Sequence, residues 1–430
     1  MTQPKKRIEM TITALSPLAI GREKPGGSIS EVEQYIPGSV LRGAIAKQIL
    51  QTYGMELENL ADSDNDFQQL FLDDNSAIFQ NAYPAIAKDK QGYKLVHNTP
   101  IKVLPATAVS SKANPGFTST GHGVFDTLID SFCAGQFHYP YDPSSLKALE
   151  DKVDARVEAY SCLYSKHGNQ YFSHSVNTRL LTRVGINRRR ATAAEDILYS
   201  LEVLNEAQKI DTKSNKWINC VYRCFIILPH ESLAKKLKQF ISINSKSFRL
   251  GGSVSRGLGK VEISVKENKI NHNIKDRIKL FNQSLKQRWL HWSNAFLKPK
   301  NNQFDNRTYF TIDLQSDAIL IDNWQRTTVI SAAMLKQFVD NVEDESLELH
   351  TAYSSYDYCS GWNSAWGLMK DVELVTNKGS VYLFSTTVPK LWYEKLFDLE
   401  LRGIGERVTE GFGQIEICNE FHLVFREEAV

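Results

Sequence analysis

Hydrophobic and polar positions alternate with a period of two in several short runs, the pattern of strands with one buried face. The first begins at Arg7 and continues through Ile-Glu-Met-Thr-Ile-Thr-Ala-Leu to Ala19. Others occupy Tyr171–Ser175, Ile197–Val203, Asn219–Leu228 and Tyr309–Leu314. Between them the period lengthens to that of a helix. Val40, Leu41, Ala44, Ile45, Gln48 and Ile49 fall at helical spacing, with Ser39 in the position of an N-cap and Arg42 in the exposed first turn. Glu231–Phe240 reads as another helix, and Ile274–Phe296 as a basic amphipathic helix joining two halves. The expected fold class is α+β. Its expected parts are an N-terminal domain over 1–270, a helical linker over 271–304 and a C-terminal domain over 305–430. The Gly- and Ser-rich stretch Ser110–Tyr139 reads as an insertion in the first domain.

Both halves end alike, which signals a duplicated architecture. The first ends in Gly251-Gly-Ser-Val-Ser-Arg-Gly-Leu-Gly-Lys260 and the second in Gly403-Ile-Gly-Glu-Arg-Val-Thr-Glu-Gly-Phe-Gly413, each followed by a strand containing Glu-Ile. Glycine lets main-chain N–H groups approach an anion without a Cβ in the way and tolerates positive φ. Gly251, Gly252, Ser253, Gly257 and Gly259 are therefore candidate phosphate-cradle residues, with Arg256 and Lys260 adding charge. Gly403, Gly405, Arg407, Gly411 and Gly413 repeat the idea, but Glu406 and Glu410 lie among them and weaken it. The bland alternative is a pair of glycine-rich turns that serve packing. Neither loop is a nucleotide-binding motif: Val261 follows Lys260 where Ser or Thr is required, and Val408 stands where a dinucleotide fingerprint has its third glycine.

Five arginines fall between Arg179 and Arg190, with no acid until Glu195. A charge run is commonly a solvated face. Here it lies between two strand-like runs, so it reads as a protruding basic hairpin. Guanidinium groups fork onto phosphates and stack on bases, which suits single-stranded RNA. Arg183, Asn187, Arg188, Arg189 and Arg190 are the candidates in this element. Tyr35, Tyr83 and Trp362 are candidate stacking rings, with burial as the alternative.

Overall charge does not advertise this chemistry. Lys and Arg number 51 against 49 Asp and Glu, a net +2, so any anion site depends on local clustering. With 42% hydrophobic and 23% charged residues the composition is that of a globular protein. No run is long and apolar enough for a membrane span and no signal core is present, so the expected location is cytoplasmic. Cys220 and Cys224 face one side of a strand, and no second Cys/His pair has zinc spacing. No metal and no organic cofactor is expected.

Several of these residues resemble the RAMP superfamily of CRISPR-associated proteins. The resemblance is carried by Leu15-Ser-Pro-Leu-Ala-Ile-Gly21, Tyr35-Ile-Pro-Gly-Ser-Val-Leu-Arg-Gly43, Arg183-Val-Gly-Ile-Asn-Arg-Arg-Arg190 with Leu198-Tyr199, and both glycine-rich loops. Gly361-Trp-Asn-Ser-Ala-Trp-Gly367 and Lys378-Gly-Ser-Val-Tyr382 are similar to the large two-domain subunit of type III-D effectors. The resemblance implies two ferredoxin-like (RRM-type) domains that hold the 5′ handle of crRNA. It also implies contacts with backbone RAMP subunits and a large signalling subunit. By position it adds Ser39 and Arg42 to the RNA ligands and makes the arginine hairpin a "thumb".

No catalytic residue is expected. Target-cleaving relatives keep an Asp between the first strand and first helix; here Gly21–Tyr35 contains Glu23, Glu31 and Glu33 but no Asp. Repeat-processing relatives commonly use a histidine, and His122, His138, His167 and His174 all lie away from the first helix. Asp126 reads as an acid that caps or orders its loop. The alternative function is a RAMP endoribonuclease.

Overall fold

The computed structural model describes residues 5–22, 31–54, 66–89, 92–95, 99–118, 122–187, 189–190, 192–210, 215–296, 306–363 and 367–430. Its first half contains β1 (Lys6–Ala14), α1 (Gly38–Tyr53), β2 (Ile78–Phe79), α2 (Leu128–Gln136), β3 (Thr178–Asn187), β4 (Thr192–Leu204), β5 (Val221–Leu228), α3 (Glu231–Ile243) and β6 (Val261–Asn268). The second contains α4 (Ile274–Ala295), β7 (Thr308–Leu314), α5 (Ala332–Phe338), β8 (Glu348–Tyr353), β9 (Tyr356–Asn363), β10 (Leu368–Thr376), β11 (Val381–Thr386), α6 (Tyr393–Arg402) and β12 (Ile415–Ile417). Among the described residues no helix is long and apolar enough to cross a membrane.

The two halves build the same antiparallel sheet. The first has the order β6-β1-β5-β2 and the second β12-β7-β11-β8. In each, a helix follows the first strand and another follows the third. A two-stranded hairpin stands between the second and third strands: β3–β4 in the first half, β9–β10 in the second. Alternation in β1 places Ile8, Met10, Ile12 and Ala14 inward, against Leu41 and Ile45 of α1 and Leu233 and Leu237 of α3. β1 stops at Ala14, short of the expected Ala19, because the chain turns through Ser16-Pro17 and proline has no N–H for a ladder. β7 repeats the pattern with Phe310, Ile312 and Leu314.

Ser39 is not the N-cap of α1. The helix starts at Gly38 with Pro37 in the cap position, and the first free amide, Gly38 N, donates to Asn81 Oδ1 at 2.8 Å. The cap therefore comes from the chain just beyond β2, and Ser39 sits half-buried inside the first turn. Gly54, with φ of 60°, closes the helix.

The helix expected as a linker, α4, lies on the second sheet. Ile274, Ile278, Phe281, Leu285 and Trp289 form its buried stripe. β12 is short, so the first residues of β7 have an open edge; Asn282 fills it, accepting from Tyr309 N at 2.8 Å and donating to Tyr309 O at 2.7 Å. The expected insertion Ser110–Tyr139 is partly regular structure, and α2 within it packs into the core of the second half. Asp130 of α2 is buried and receives Arg288 Nε and Nη2 at 2.8 and 2.6 Å, and Trp292 Nε1 at 2.8 Å. A second buried charge joins the same parts. His422 lies between Asp313 of β7 (Nε2 to Oδ1, 2.7 Å) and Asp126 (Nδ1 to Oδ1, 3.1 Å). The first contact is an aligned hydrogen bond; the second is a charge contact off the hydrogen-bond axis. Asp126 also caps the start of α2, accepting from Leu128 N at 2.8 Å, so it orders its loop.

Candidate nucleic-acid interface

β3 and β4 form a long hairpin in which Arg183 stands opposite Tyr199, with Leu181 opposite Leu201 and Arg179 opposite Val203. Strand alternation puts these six side chains on one face. At its base, Val203 is fully buried with Ala19 and Leu258, and Leu181 and Leu201 pack against them. Leu258 belongs to the first glycine loop, so this small apolar cluster seats the hairpin on that loop. One step outward, Arg256 of the loop donates from Nη1 to Tyr199 Oη at 2.5 Å and lies 5.6 Å from the ring centroid. Arg183, Tyr199 and Arg256 thus meet where hairpin and loop converge.

Among the described residues, no ion pair neutralises Arg183, Arg256 or Lys260 at this junction, and the Arg256 guanidinium bonds to the tyrosine. Arg179, at the base, is different: it pairs with Glu206 at 2.8 Å and bonds Asn205 at 3.0 Å. Arg189 and Arg190 are exposed in the hairpin turn. Arg188 and the side chain of Asn187 lie outside the described residues.

The glycine loop differs from the expected cradle in which amides it offers. Gly252 N donates to Ala19 O at 2.8 Å, Gly259 N to Pro17 O at 2.9 Å, and Lys260 N to Ser16 Oγ at 2.8 Å. Those amides fasten the loop to the segment after β1. The amides of Ser253, Val254 and Ser255 donate to no described residue. They follow one another as Ser253 adopts a left-handed conformation (φ 55°) and Val254–Arg256 winds into one 3-10 turn. Successive N–H groups in that geometry form an anion-binding concavity. Gly251 has a tighter reason to be glycine: its φ is 81°, and a Cβ would collide with the carbonyl oxygen of Ala19. Gly251→Ala is expected to lower stability by about 1–3 kcal/mol, read from the denaturant midpoint, since positive φ and a backbone clash add. An unchanged midpoint would show that the approach is looser than described.

The second loop has the same backbone and a different neighbourhood. Arg407 takes the place of Ser253 (φ 55° in both), Val408–Glu410 repeats the 3-10 turn, and Gly411 follows at φ 98° as Gly257 does at 87°. Gly405 meets the Ile319 carbonyl as Gly251 meets Ala19. Glu410, however, stands where the first loop has Arg256. It pairs with Arg407 at 2.7 Å and with Lys370 of β10 at 2.9 Å, which hold its carboxyl below the usual range although burial alone would raise it. The turn presses on the first half, where a Cβ on Gly411 would come within 3.0 Å of Phe79 O. Gly403, Gly405, Arg407, Gly411 and Gly413 therefore lie in a loop that docks one half on the other.

Arg42 differs from its expected exposure, and Tyr35 and Tyr83 follow the burial alternative. Arg42 is half-buried rather than exposed: it donates to the carbonyl of Phe71 and lies 5.8 Å from that ring. Tyr35 and Tyr83 are buried, 5.5 Å apart, with Tyr83 Oη donating to Gln315 O of the second half at 2.5 Å, so neither ring faces a base. The side chain of Trp362 lies outside the described residues. Of the histidines, His174 is buried, bonds Ser165 Oγ at 2.7 Å, and is pushed down to about 4 by burial. His122 pairs with Asp151 at 3.0 Å, and His138 and His167 are exposed. In the loop after β1, Glu31 is exposed and Glu23 lies outside the described residues.

A family model described as the RAMP superfamily matches residues 11–262, more than half of the chain. Among solved structures, a chain of the type III-B Cmr-beta complex bound to cognate target RNA and AMPPnP is 13% identical, with 87% of this chain and 86% of that chain covered and a TM-score of 0.39. A chain of the apo type III-B Cmr-beta complex is 13% identical over 61% and 98% of the two chains, with a TM-score of 0.30. Oligomeric Cmr4 from Pyrococcus furiosus is 14% identical over the same shares, with a TM-score of 0.26. Likeness at this level does not extend to function. No curated protein matches the chain.

Proposed function

The chain belongs to the RAMP superfamily, and from that premise we propose that it is a non-catalytic RNA-binding subunit of a type III CRISPR effector. Its role in this reading is that of the large two-domain type III-D subunit, which holds the crRNA 5′ handle and caps the backbone in the cytoplasm. Its partners are then crRNA, backbone RAMP subunits and the large signalling subunit. The two sheets, each ordered last-first-third-second with a helix after the first and third strands, are ferredoxin-like domains in this reading, divided at 1–270, 271–304 and 305–430.

One observation carries the proposal: the hairpin and the first glycine loop are seated on each other and present Arg183, Arg256 and Tyr199 together. Arginine forks and a tyrosine ring match a splayed single strand, whose phosphates fix position while bases stack. Arg189, Arg190 and Lys260 extend the positive rim, and the amides of Ser253–Ser255 supply a neutral phosphate seat. The second loop, docked on the first half, has no RNA role in this reading.

The test is to incubate the purified chain with labelled handle and repeat RNA, with and without Mg²⁺, over a range of salt. The expected result is intact RNA and binding that weakens steeply as salt rises. A discrete cut made by the isolated chain would replace this reading with that of an endoribonuclease.

A further inference from the structure

A tryptophan stands fully exposed at the tip of a short hairpin in the second half. Leu320–Asp322 pairs with Gln325–Thr327, and the two residues that turn the chain, Asn323 and Trp324, have φ of 46° and 67°. Two-residue turns with both φ values positive favour glycine at the second position, because a left-handed conformation is costly for a bulky side chain. Trp324 occupies that position and is 99% exposed, so neither backbone fit nor burial accounts for the ring. A residue kept against its local cost points to something it meets outside the chain.

The duplication gives the hairpin its place. In the first half, Leu18 bridges Leu204 of β4, and Ala19 O accepts from Gly252 N of the first glycine loop at 2.8 Å. In the second, Ala318 bridges Thr376 of β10, and Ile319 O accepts from Glu406 N of the second loop at 2.9 Å. Residues 318–322 therefore repeat residues 18–22. The hairpin that carries Trp324 corresponds to Gly21–Arg22 paired with Glu31–Val32, which meets β4 where Val32 N donates to Glu202 Oε2 at 3.0 Å. That first-half hairpin adjoins both elements of the RNA seat. We propose that Trp324 stacks on an unpaired nucleobase of the RNA beyond the handle, at the place in the second half that answers to that seat. The proposal rests on the reading of the chain as an RNA-binding subunit and extends the RNA path onto the second half.

The mount is braced and its charge selects the base rather than the phosphate. Arg326 pairs with Glu373 of β10, and Thr376 Oγ1 donates to Thr327 O at 3.3 Å. Asp322 and the exposed Glu406 lie along the hairpin, and Glu410 stands in the neighbouring loop where the first loop has Arg256. Carboxylates repel a phosphate, which leaves the face of the ring as the contact, and every base has a π-face to offer it. A protein partner would bury the ring in an apolar surround. In the turn Trp324 is bordered instead by Asn323 and Gln325, both polar and exposed.

The experiment uses the full chain and three probes: handle RNA, handle RNA with a 3′ oligouridylate tail, and handle RNA with an abasic tail of the same length. Trp324→Gly suits the backbone of the turn, so its denaturant midpoint should equal or exceed that of wild type. It is expected to bind the oligouridylate-tailed RNA about 10-fold more weakly, the loss of one base stack, with the salt slope unchanged because stacking releases no counterions. Trp324→Phe, which keeps a ring, should retain most of the affinity. Handle RNA alone and the abasic-tailed RNA should bind wild type and Trp324→Gly alike. Equal affinity of the two proteins for the oligouridylate-tailed RNA would overturn the proposal and leave handle binding untouched. An equal loss with the abasic tail would also overturn it, since no base would be involved. So would failure of Trp324→Gly to assemble with other effector subunits at unchanged RNA affinity, which would assign the ring to a protein. If wild type ignores the handle alone but binds the oligouridylate-tailed RNA through Trp324, the handle reading fails and the stacking contact stands.

Discussion

Replacing His422 by alanine is expected to lower the stability of the chain by about 3–5 kcal/mol, because it leaves two buried aspartates without their shared cation. His422 and Asp313 are 1% exposed and Asp126 2%. Burial of the ring opposes its charge, but Asp313 and Asp126 outweigh that and push its pKa up to about 10. An unfolded histidine titrates near ~6.5, so the folded state holds the proton more tightly than the unfolded one. That contribution is complete below about pH 6.5 and is lost as pH rises through about 10. The difference in unfolding midpoint between wild type and His422→Ala should therefore be full at about pH 6.5 and shrink as pH rises toward about 10. A difference independent of pH would mean that His422 acts by packing alone. The loss should fall on the seam between the inserted α2 region and the second sheet, since Asp126 caps α2 and Asp313 belongs to β7.

The second large effect concerns RNA. Arg183→Ala/Arg256→Ala is expected to weaken handle binding about 100-fold, roughly 2.8 kcal/mol for two charge-assisted contacts. The salt slope should fall by about 1.4. Arg407→Ala, at the equivalent loop of the second half, is the control: its guanidinium is spent on Glu410, so handle affinity should be unchanged. Equal losses at Arg256 and Arg407 would show that the two loops are equivalent in solution. Tyr199→Phe separates the two roles of its side chain. It keeps the ring beneath Arg256 and removes the oxygen that positions the guanidinium, so a smaller loss than Arg256→Ala is expected.

Much of the architecture was legible because local pattern and tertiary need agreed. The alternation in β1 and β7, the stripe of α4 and the paired glycine loops all report a burial pattern or backbone conformation that their own residues enforce. What the sequence concealed came from elsewhere in the chain. The start of α1, for which Ser39 is the expected cap, takes its cap from Asn81, some forty positions on. Leu128, Ile129 and Phe132 looked like part of a loop-rich insertion because their partners, Phe281 and Leu285 among them, lie on α4. Tyr199 could not be set opposite Arg183 by counting, since the ladder is irregular between Val184 and Ile186. The exchange of Arg256 for Glu410 was visible in the two loops, but its meaning depends on where the second loop docks.

The central claim is that the β3–β4 hairpin and the first glycine loop together seat the 5′ end of the RNA. The most direct measurement is photocross-linking from a 5′-terminal 4-thiouridine on bound crRNA, with the adducts mapped by mass spectrometry. The expected result is adducts concentrated in residues 179–204 and 251–260, with Tyr199 prominent and lost together with affinity in Arg183→Ala/Arg256→Ala. Adducts from the 5′ end confined to other parts of the chain, at undiminished affinity in that variant, would contradict the account.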